Sequence, residues 1–476
     1  MMANIDWKAE VEKRKDNLIA DLKGLLKIRS VLDDQHGTEE APLGLEVRAA
    51  LDYLLELGEK DGFTTKNVAN IAGHVEMGTG EELIGVLCHV DVVPEGDGWT
   101  VDPYGGEIKD GRIYARGAID DKGPTLAAYY AMKIVQELGL PLEKRIRMII
   151  GTDEESEWRC VDRYFQEEEM PEMGFAPDAD FPIINAEKGI ADFDLVQTVS
   201  KKEGNNTSIT LLSFNAGRRY NMVPDYAKAV MDVQKDHTEL MQHFNDFIEA
   251  QELKGRYYIE SGYMILELEG VSAHGMEPDK GKNAGLLLAN FLSSFELDSL
   301  GKLFVSSAVD FFFGDSRGRK LGVQYEDDIT GELTINVGVM SYNEQDGGRF
   351  GLNMRYPVTF KLNDGMKTLT EVANQAEFTI ANFTNSQPHH VSKDNELIQI
   401  LQNVYEQQTH KEAKLLSIGG GTYARSLKSG VAFGALFPGR PDVAHQKDEY
   451  MELDDLFRAT AIYAQAIYEL ARGNDK

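Results

Sequence analysis

Hydrophobic residues recur at helical spacing over residues 7–28 and 43–57, so each stretch is expected to form an amphipathic helix. The period then changes. Residues 67–75 and the apolar run 83–90 read as strands, and 106–116 as a hairpin turning at Asp110-Gly111. Residues 124–138 form a helical stretch closed by Gly139 and Pro141, followed by a buried strand at 145–150 and a shorter one around Ile183-Ile184. Strands that are apolar throughout and separated by helices predict an α/β domain with a mostly parallel sheet covered on both faces. Sheets of that kind bind ligands beyond the carboxyl ends of their strands.

Near residue 191 the texture shifts to alternating strands, at 209–214, 227–233, 258–269, 334–339 and 350–356, with helices at 240–250, 284–295 and 366–375. This is α+β texture with an antiparallel sheet. After Pro388 the first texture returns, with helices at 396–407, 423–427 and 453–471 and strands at 414–417 and 431–437. The expected organisation is a catalytic domain from residues 1–190 and 387–476 and an inserted α+β lid domain from 191–386. The chain shows no short repeat and no low-complexity tract.

Composition narrows the function. The 476 residues carry 49 Lys and Arg against 79 Asp and Glu, a net charge of −30 that disfavours nucleic acid and anionic membrane as partners. Cys88 and Cys160 offer no disulfide framework and are expected as inert buried thiols. Residues 1–17 are charged and amphipathic and lack the apolar core of a signal peptide, and no apolar run is long enough to span a bilayer. A cytoplasmic location is the expectation.

Candidate chemistry collects at the predicted strand ends. His89 and Asp91 lie two apart at the end of one strand, on the same side of the chain, where an acidic neighbour can help orient a metal-binding imidazole. Asp120 and Asp121 precede a helix start; Asp121 reads most simply as a helix cap, whereas Asp120 has the geometry to bridge two metals about 3.5–4 Å apart. Glu154 and Glu155 follow the strand at 145–150, so that one can bind metal while the other handles protons. Asp178 sits in a proline-bracketed acidic turn, and His445 lies far along the chain in a loop. Singly, each has an ordinary structural explanation. Jointly they balance charge: three ligand carboxylates and a hydroxide match two divalent cations, so the set can be buried.

The ordered motifs His89-x-Asp91, Asp120-Asp-Lys-Gly, Glu154-Glu155, Pro177-Asp178 and Ala444-His445 resemble those of the dinuclear zinc peptidases of the aminoacylase, carboxypeptidase and carnosinase family. The stretches 120–125 and 176–182 and the long insertion resemble the PepV-type dipeptidases in particular. The resemblance implies one metal on His89, Asp120 and Asp178 and a second on Asp120, Glu155 and His445. It implies Glu154 as general base and acid, Asp91 as the supporting carboxylate, and a cis peptide between Asp120 and Asp121. Asn221, His274 and Arg355, in the insertion, match substrate-contact positions. The implied cofactor is a pair of divalent ions, zinc first, with manganese or cobalt as alternatives, since His and carboxylate ligands suit all three. The implied substrate is a dipeptide. Because the long insertion can supply within one chain what a smaller lid obtains from a partner, a monomer is expected.

Gly419-Gly420-Gly421-Thr422-Tyr423-Ala424 also fits a dinucleotide-binding pattern, with Asp442 about 20 residues on. It lies far from any opening βαβ unit, and Asp442 falls beyond the strand end where the ribose ligand belongs. Backbone N–H groups of Gly420 and Gly421 offered to a substrate carboxylate, or a plain strand-to-helix turn, explain it better. Two further readings stay open beside the dipeptidase: an N-acyl-amino-acid deacylase using the same metal core, and a metal-stabilised binding protein without catalysis. The presence of both Asp91 and Glu154 argues against the last.

Overall fold

The computed structural model of the chain describes residues 5–198, 207–234 and 237–473; residues 1–4 of the charged N-terminal segment lie outside them. The chain divides into two compact units. One comprises Met1–Asn185, His390–Leu416 and Thr422–Lys476, and the other Ala186–His389 and Ser417–Gly421.

The first sheet is mixed. Its strands run in the order Thr64–Val68, Ala72–Met77, Arg145–Gly151, Leu83–His89, Met173–Ala176, Gly430–Ala432, Ile183–Glu187 and His389–His390, with Leu415–Ile418 also paired to Ile183–Glu187. The central pairs are parallel: Leu83–His89 lies between Arg145–Gly151 and Met173–Ala176, and Met173–Ala176 in turn pairs with Gly430–Ala432. Antiparallel pairs flank this centre on either side. Every residue of Leu83–His89 is buried, as its unbroken apolar pattern requires of a strand covered on both faces. Helix Lys122–Glu137 is buried around most of its circumference and packs on Leu453–Ala471. Its two large polar aromatics are accommodated because each hydroxyl finds a carboxylate, Tyr129 donating to Asp61 at 2.7 Å and Tyr130 to Asp21 at 2.5 Å.

The second unit holds an antiparallel sheet ordered Lys254–Glu260, Tyr263–Glu269, Tyr226–Val233, Ile209–Ala216, Thr334–Asn343, Gly347–Tyr356, Gly189–Gln197 and Phe378–Ser386. Helices Ala284–Leu292 and Ser299–Phe312 pack on it around a core of its own, in which Phe304 stacks on Phe350 with ring centroids 4.8 Å apart.

Several expected elements divide. The strand expected at 67–75 is a hairpin of Thr64–Val68 and Ala72–Met77. Its turn residues Ala69 and Asn70 have φ of 51° and 62°, and Ile71 N–H closes it on the Val68 carbonyl at 3.2 Å. Only Asn70 hints at that turn, because an alanine is rarely left-handed. The run at 258–269 likewise folds back at Ser261-Gly262 into Lys254–Glu260 and Tyr263–Glu269. The helix expected at 7–28 breaks into Trp7–Glu12 and Lys15–Leu26, and the strand at 431–437 breaks around Gly434, where φ is 78°. Helices Arg159–Glu167 and Ser299–Phe312 and the strands Gly189–Gln197 and Phe378–Ser386 were not legible as periodic runs. Cys88 and Cys160 are buried and unbridged. Among the described residues no helix is long and apolar enough to cross a membrane.

One buried ionisable cluster lies on the antiparallel side of the first sheet. His74 hydrogen-bonds Tyr164 Oη through Nδ1 at 2.7 Å, and Arg147 bridges Glu76 and Glu168 beside it. Burial, and then the Arg147 charge, pull the His74 pKa down to about 4. The native state therefore keeps His74 neutral where the unfolded chain protonates it, so stability falls as pH drops from about 6.5 toward 4 and this contribution flattens below that. The loss attributable to His74 is at most about 3 kcal/mol. Unfolding midpoints of the wild type and His74→Asn between pH 7 and 4 should converge on acidification; parallel curves would contradict this role.

Candidate metal centre

Three adjacent parallel strands deliver the acidic and imidazole groups to one edge. His89 ends the middle strand and stands in register with Gly151, the last residue of its neighbour, from which the chain continues to Glu154 and Glu155. On the other side, Met173–Ala176 ends two residues before Asp178. Asp120 lies in the turn before helix Lys122–Glu137. Gly117 and Gly123 frame that turn: Gly117 has φ of 81°, and a Cβ on Gly123 would meet the Ala118 carbonyl oxygen at 2.1 Å. The peptide Asp120–Asp121 is cis. His445 reaches the same place because Tyr450–Glu452 pairs antiparallel with Arg112–Tyr114, which lays the chain before the one strand beside the chain after the other.

Asp120 faces two histidines with its two oxygens. Oδ1 is 3.1 Å from His89 Nε2 and Oδ2 is 2.9 Å from His445 Nε2. His89 Nε2 is also 3.7 Å from Asp178 Oδ1, and His445 Nε2 is 2.9 Å from Glu155 Oε1. Two groups of donor atoms result, His89 with Glu154 and Asp178, and Asp120 with Glu155 and His445, each within 4.8 Å of one another. His89 Nδ1 lies 3.1 Å from the Asp91 carbonyl, which can only accept, so this contact puts the proton on Nδ1 and the lone pair on Nε2. Yet Nε2 is buried and makes no hydrogen bond. A buried imidazole lone pair between carboxylates is the arrangement a divalent cation satisfies, so the residues fit the expected metals.

The electrostatics point the same way. Burial first, then Asp178 and Glu155, push the Glu154 carboxyl well above its ordinary range against the pull of His89. Burial and Asp120 raise Glu155 to about 7, and burial raises Asp178. The imidazoles respond in kind. Hydrogen bonds to Asp120 and Glu155 raise His445 to about 11; burial lowers His89, but Asp178 and Asp120 outweigh it and the net shift is upward. Anions desolvated together attract whatever positive charge is within reach.

Some details differ from the sequence reading. The Asp91 carboxylate comes no closer than 3.5 Å to His89 Nδ1, and its Oδ2 instead accepts the Glu155 N–H at 3.0 Å, so it holds the loop of the next residue set. Asp121 makes no side-chain cap to its helix; its Oδ2 accepts the His89 N–H at 3.2 Å and the Thr125 hydroxyl at 3.0 Å, fixing the end of the strand. Glu449, which has no motif to mark it, accepts N–H groups from Ile119 and Asp120.

The second unit gathers another set. His274 is exposed, with Nδ1 accepting the Met276 N–H at 3.2 Å, and partial desolvation and the Arg355 charge lower its pKa. Asn221, also exposed, accepts the Gly275 N–H on its carbonyl at 2.7 Å. Arg355 is buried and donates to Asn353 Oδ1 at 2.8 Å and to the Gly419 carbonyl at 3.1 Å. That last bond brings the Gly420-Gly421 loop to Arg355.

A family model described as Peptidase family M20/M25/M40 matches residues 85–469. A Bacillus subtilis (strain 168) protein named "Putative dipeptidase YtjP" is 57% identical over 469 residues, covering 98% of this chain and 100% of its own. Among solved structures, aminopeptidase PepT from Bacillus cereus ATCC 10987 superposes with a TM-score of 0.58 at 14% identity, over 96% of this chain and 98% of its own. Human carnosine dipeptidase 1 does so with a TM-score of 0.55 at 15% identity, over 98% of each chain. At those identities the superpositions speak for the fold.

Because the cluster holds protons on His89, His445 and the raised carboxyls, divalent metal uptake near neutral pH should release protons. Titration calorimetry in buffers of different ionisation enthalpy should show net release, larger at pH 6 than at pH 8. Uptake without release would contradict the assigned donor set.

Proposed function

The chain belongs to peptidase family M20/M25/M40, and from that membership and the geometry of its first unit we propose that it is a metal-dependent dipeptidase acting on dipeptides with a free amino terminus. The observation that carries the reading is the Asp120 carboxylate, with one oxygen toward His89 and the other toward His445. His89, Asp120 and Asp178 would hold one divalent ion and Asp120, Glu155 and His445 the other, with zinc favoured and manganese or cobalt compatible. Bound there, the pair supplies Lewis acidity, which polarises a carbonyl and acidifies water. The names carried by close relatives, YtjP among them, support the dipeptide as substrate.

The chain's own groups perform the remaining work. Glu154 is buried with its carboxyl raised by burial and neighbouring anions, so it can accept a proton from the attacking water and return it to the leaving amine. The Asp91 carboxylate keeps the Glu155 backbone in place, and its carbonyl fixes the tautomer of His89. His274 Nε2, with Nδ1 already engaged by Met276, can donate to the carbonyl oxygen as it gains charge. Arg355 and the Gly420-Gly421 loop would hold the substrate carboxylate, and Asn221 would contact the peptide. We take the protein as a cytoplasmic monomer.

A deacylase of N-acyl amino acids would use the same metals, and the amino terminus separates the two. Glu154→Gln should lower kcat by about 10²–10⁴ while metal content stays near two per chain; wild-type turnover would refute its role. The wild type should cleave a dipeptide and largely spare its N-acetylated form, and the reverse preference would establish the deacylase. Chelation should abolish turnover and add-back of zinc, manganese or cobalt should restore it; undiminished activity after complete metal removal would overturn the reading.

A further inference from the structure

Arg116 and Glu449 are among the most deeply buried charged residues of the first unit, at 2% and 0% exposure. They bind each other, Arg116 Nη1 donating to Glu449 Oε2 at 2.6 Å. What surrounds them gives the pair its meaning. Glu449 Oε1 accepts the backbone N–H of Ile119 at 3.0 Å and of Asp120 at 3.3 Å. Arg116 Nη1 also reaches the carbonyl of Gln446, next to His445, at 3.3 Å. Arg116 Nη2 reaches the carbonyls of Pro94 at 3.4 Å and Glu95 at 3.2 Å, on the segment that follows Asp91, and the guanidinium lies 5.3 Å from the Trp99 ring. The backbone adds one more tie, Ala115 N–H to the Glu449 carbonyl at 3.1 Å.

We propose that Arg116 and Glu449 are positioning residues that set the separation of Asp120 from His445 and so make the second metal position. The argument is geometric. His445 sits in a loop with φ of 61°, and its nearest strand begins only at Tyr450. Asp120 sits in a turn whose strand ended at Tyr114. Neither ligand is therefore held by a sheet ladder of its own. The pair spans the gap, with the carboxylate gripping the Asp120 backbone and the guanidinium gripping the His445 loop. A planar guanidinium with several donors suits this, since it can bind one carboxylate and several carbonyls in fixed directions. An apolar pair of equal volume would fill the space and carry none of those directions.

The inference rests on Asp120 and His445 being metal ligands, and its test separates the two claims. Metal content after exhaustive dialysis, competition with a chromogenic chelator, and thermal unfolding with and without zinc would be measured for three proteins. These are the wild type, Glu449→Asp, and the double variant Arg116→Met/Glu449→Leu. Glu449→Asp keeps the charge and draws the acceptor back by one methylene. The double variant removes both charges, so no lone buried ion remains to prevent folding. If the wild type does not bind two equivalents, the ligand assignment itself fails. If it does, both variants should keep the first equivalent and bind the second at least 10-fold more weakly, with kcat lowered more than KM is raised. The metal-free melting temperature of the double variant should stay near that of the wild type. Two equivalents bound at wild-type affinity by both variants would overturn the proposal, and so would equal weakening of both equivalents.

Discussion

Carboxylates brought together out of water repel one another and lose their hydration, and that cost governs the first unit. Asp120, Glu154, Glu155 and Asp178 converge at the ends of buried strands with only His89 and His445 close enough to answer them. Nothing in a hydrophobic core offsets such a cluster; positive charge does. The upward shifts at Glu154, Asp178 and Glu155 and the upward shift of His445 to about 11 are two sides of one deficit of positive charge. Two divalent ions remove it, and in doing so they turn a destabilising feature into a reactive one.

The fold bears this cost by dividing the labour between strands and loops. Parallel strands place His89 and the Glu154-Glu155 loop with the precision of a ladder, in register at His89 and Gly151. Asp120 and His445 come from loops, and there hydrogen bonds take over: Asp121 on the His89 N–H, Asp91 on the Glu155 N–H, Glu449 on the Asp120 N–H. Each of these acids is buried and is used for a backbone donor. The motif residues that surround the ligands are thus as much architecture as chemistry, and the acidic partners differ in purpose although they look alike in sequence.

How much of this was legible follows from the same division. Apolar runs gave the buried strands, and the polar residues just beyond them gave the candidate ligands, because a carboxylate at the end of a buried strand needs a reason. His445 could be joined to the others only through the resemblance, since the pairing of Tyr450–Glu452 with Arg112–Tyr114 involves strands of three residues that carry no periodic signal. The Ala69-Asn70 turn escaped notice because its left-handed alanine follows tertiary packing rather than residue preference. Asp91 was placed correctly beside His89 in sequence, but which of its groups faces the ring is decided by backbone geometry that side-chain alternation does not encode. Glu449 and Arg116 lie outside every motif considered, and only their burial marks them.

The claim on which the account turns is that one carboxylate serves two cations. Asp120→Asn keeps the shape of that side chain and removes its charge. Metal analysis of this variant after dialysis, beside a circular dichroism spectrum to establish that it folds, tests the claim without reference to substrate. A wild type with two equivalents and an Asp120→Asn protein with fewer than one is the predicted result. A folded variant that retains two equivalents at wild-type affinity would contradict it.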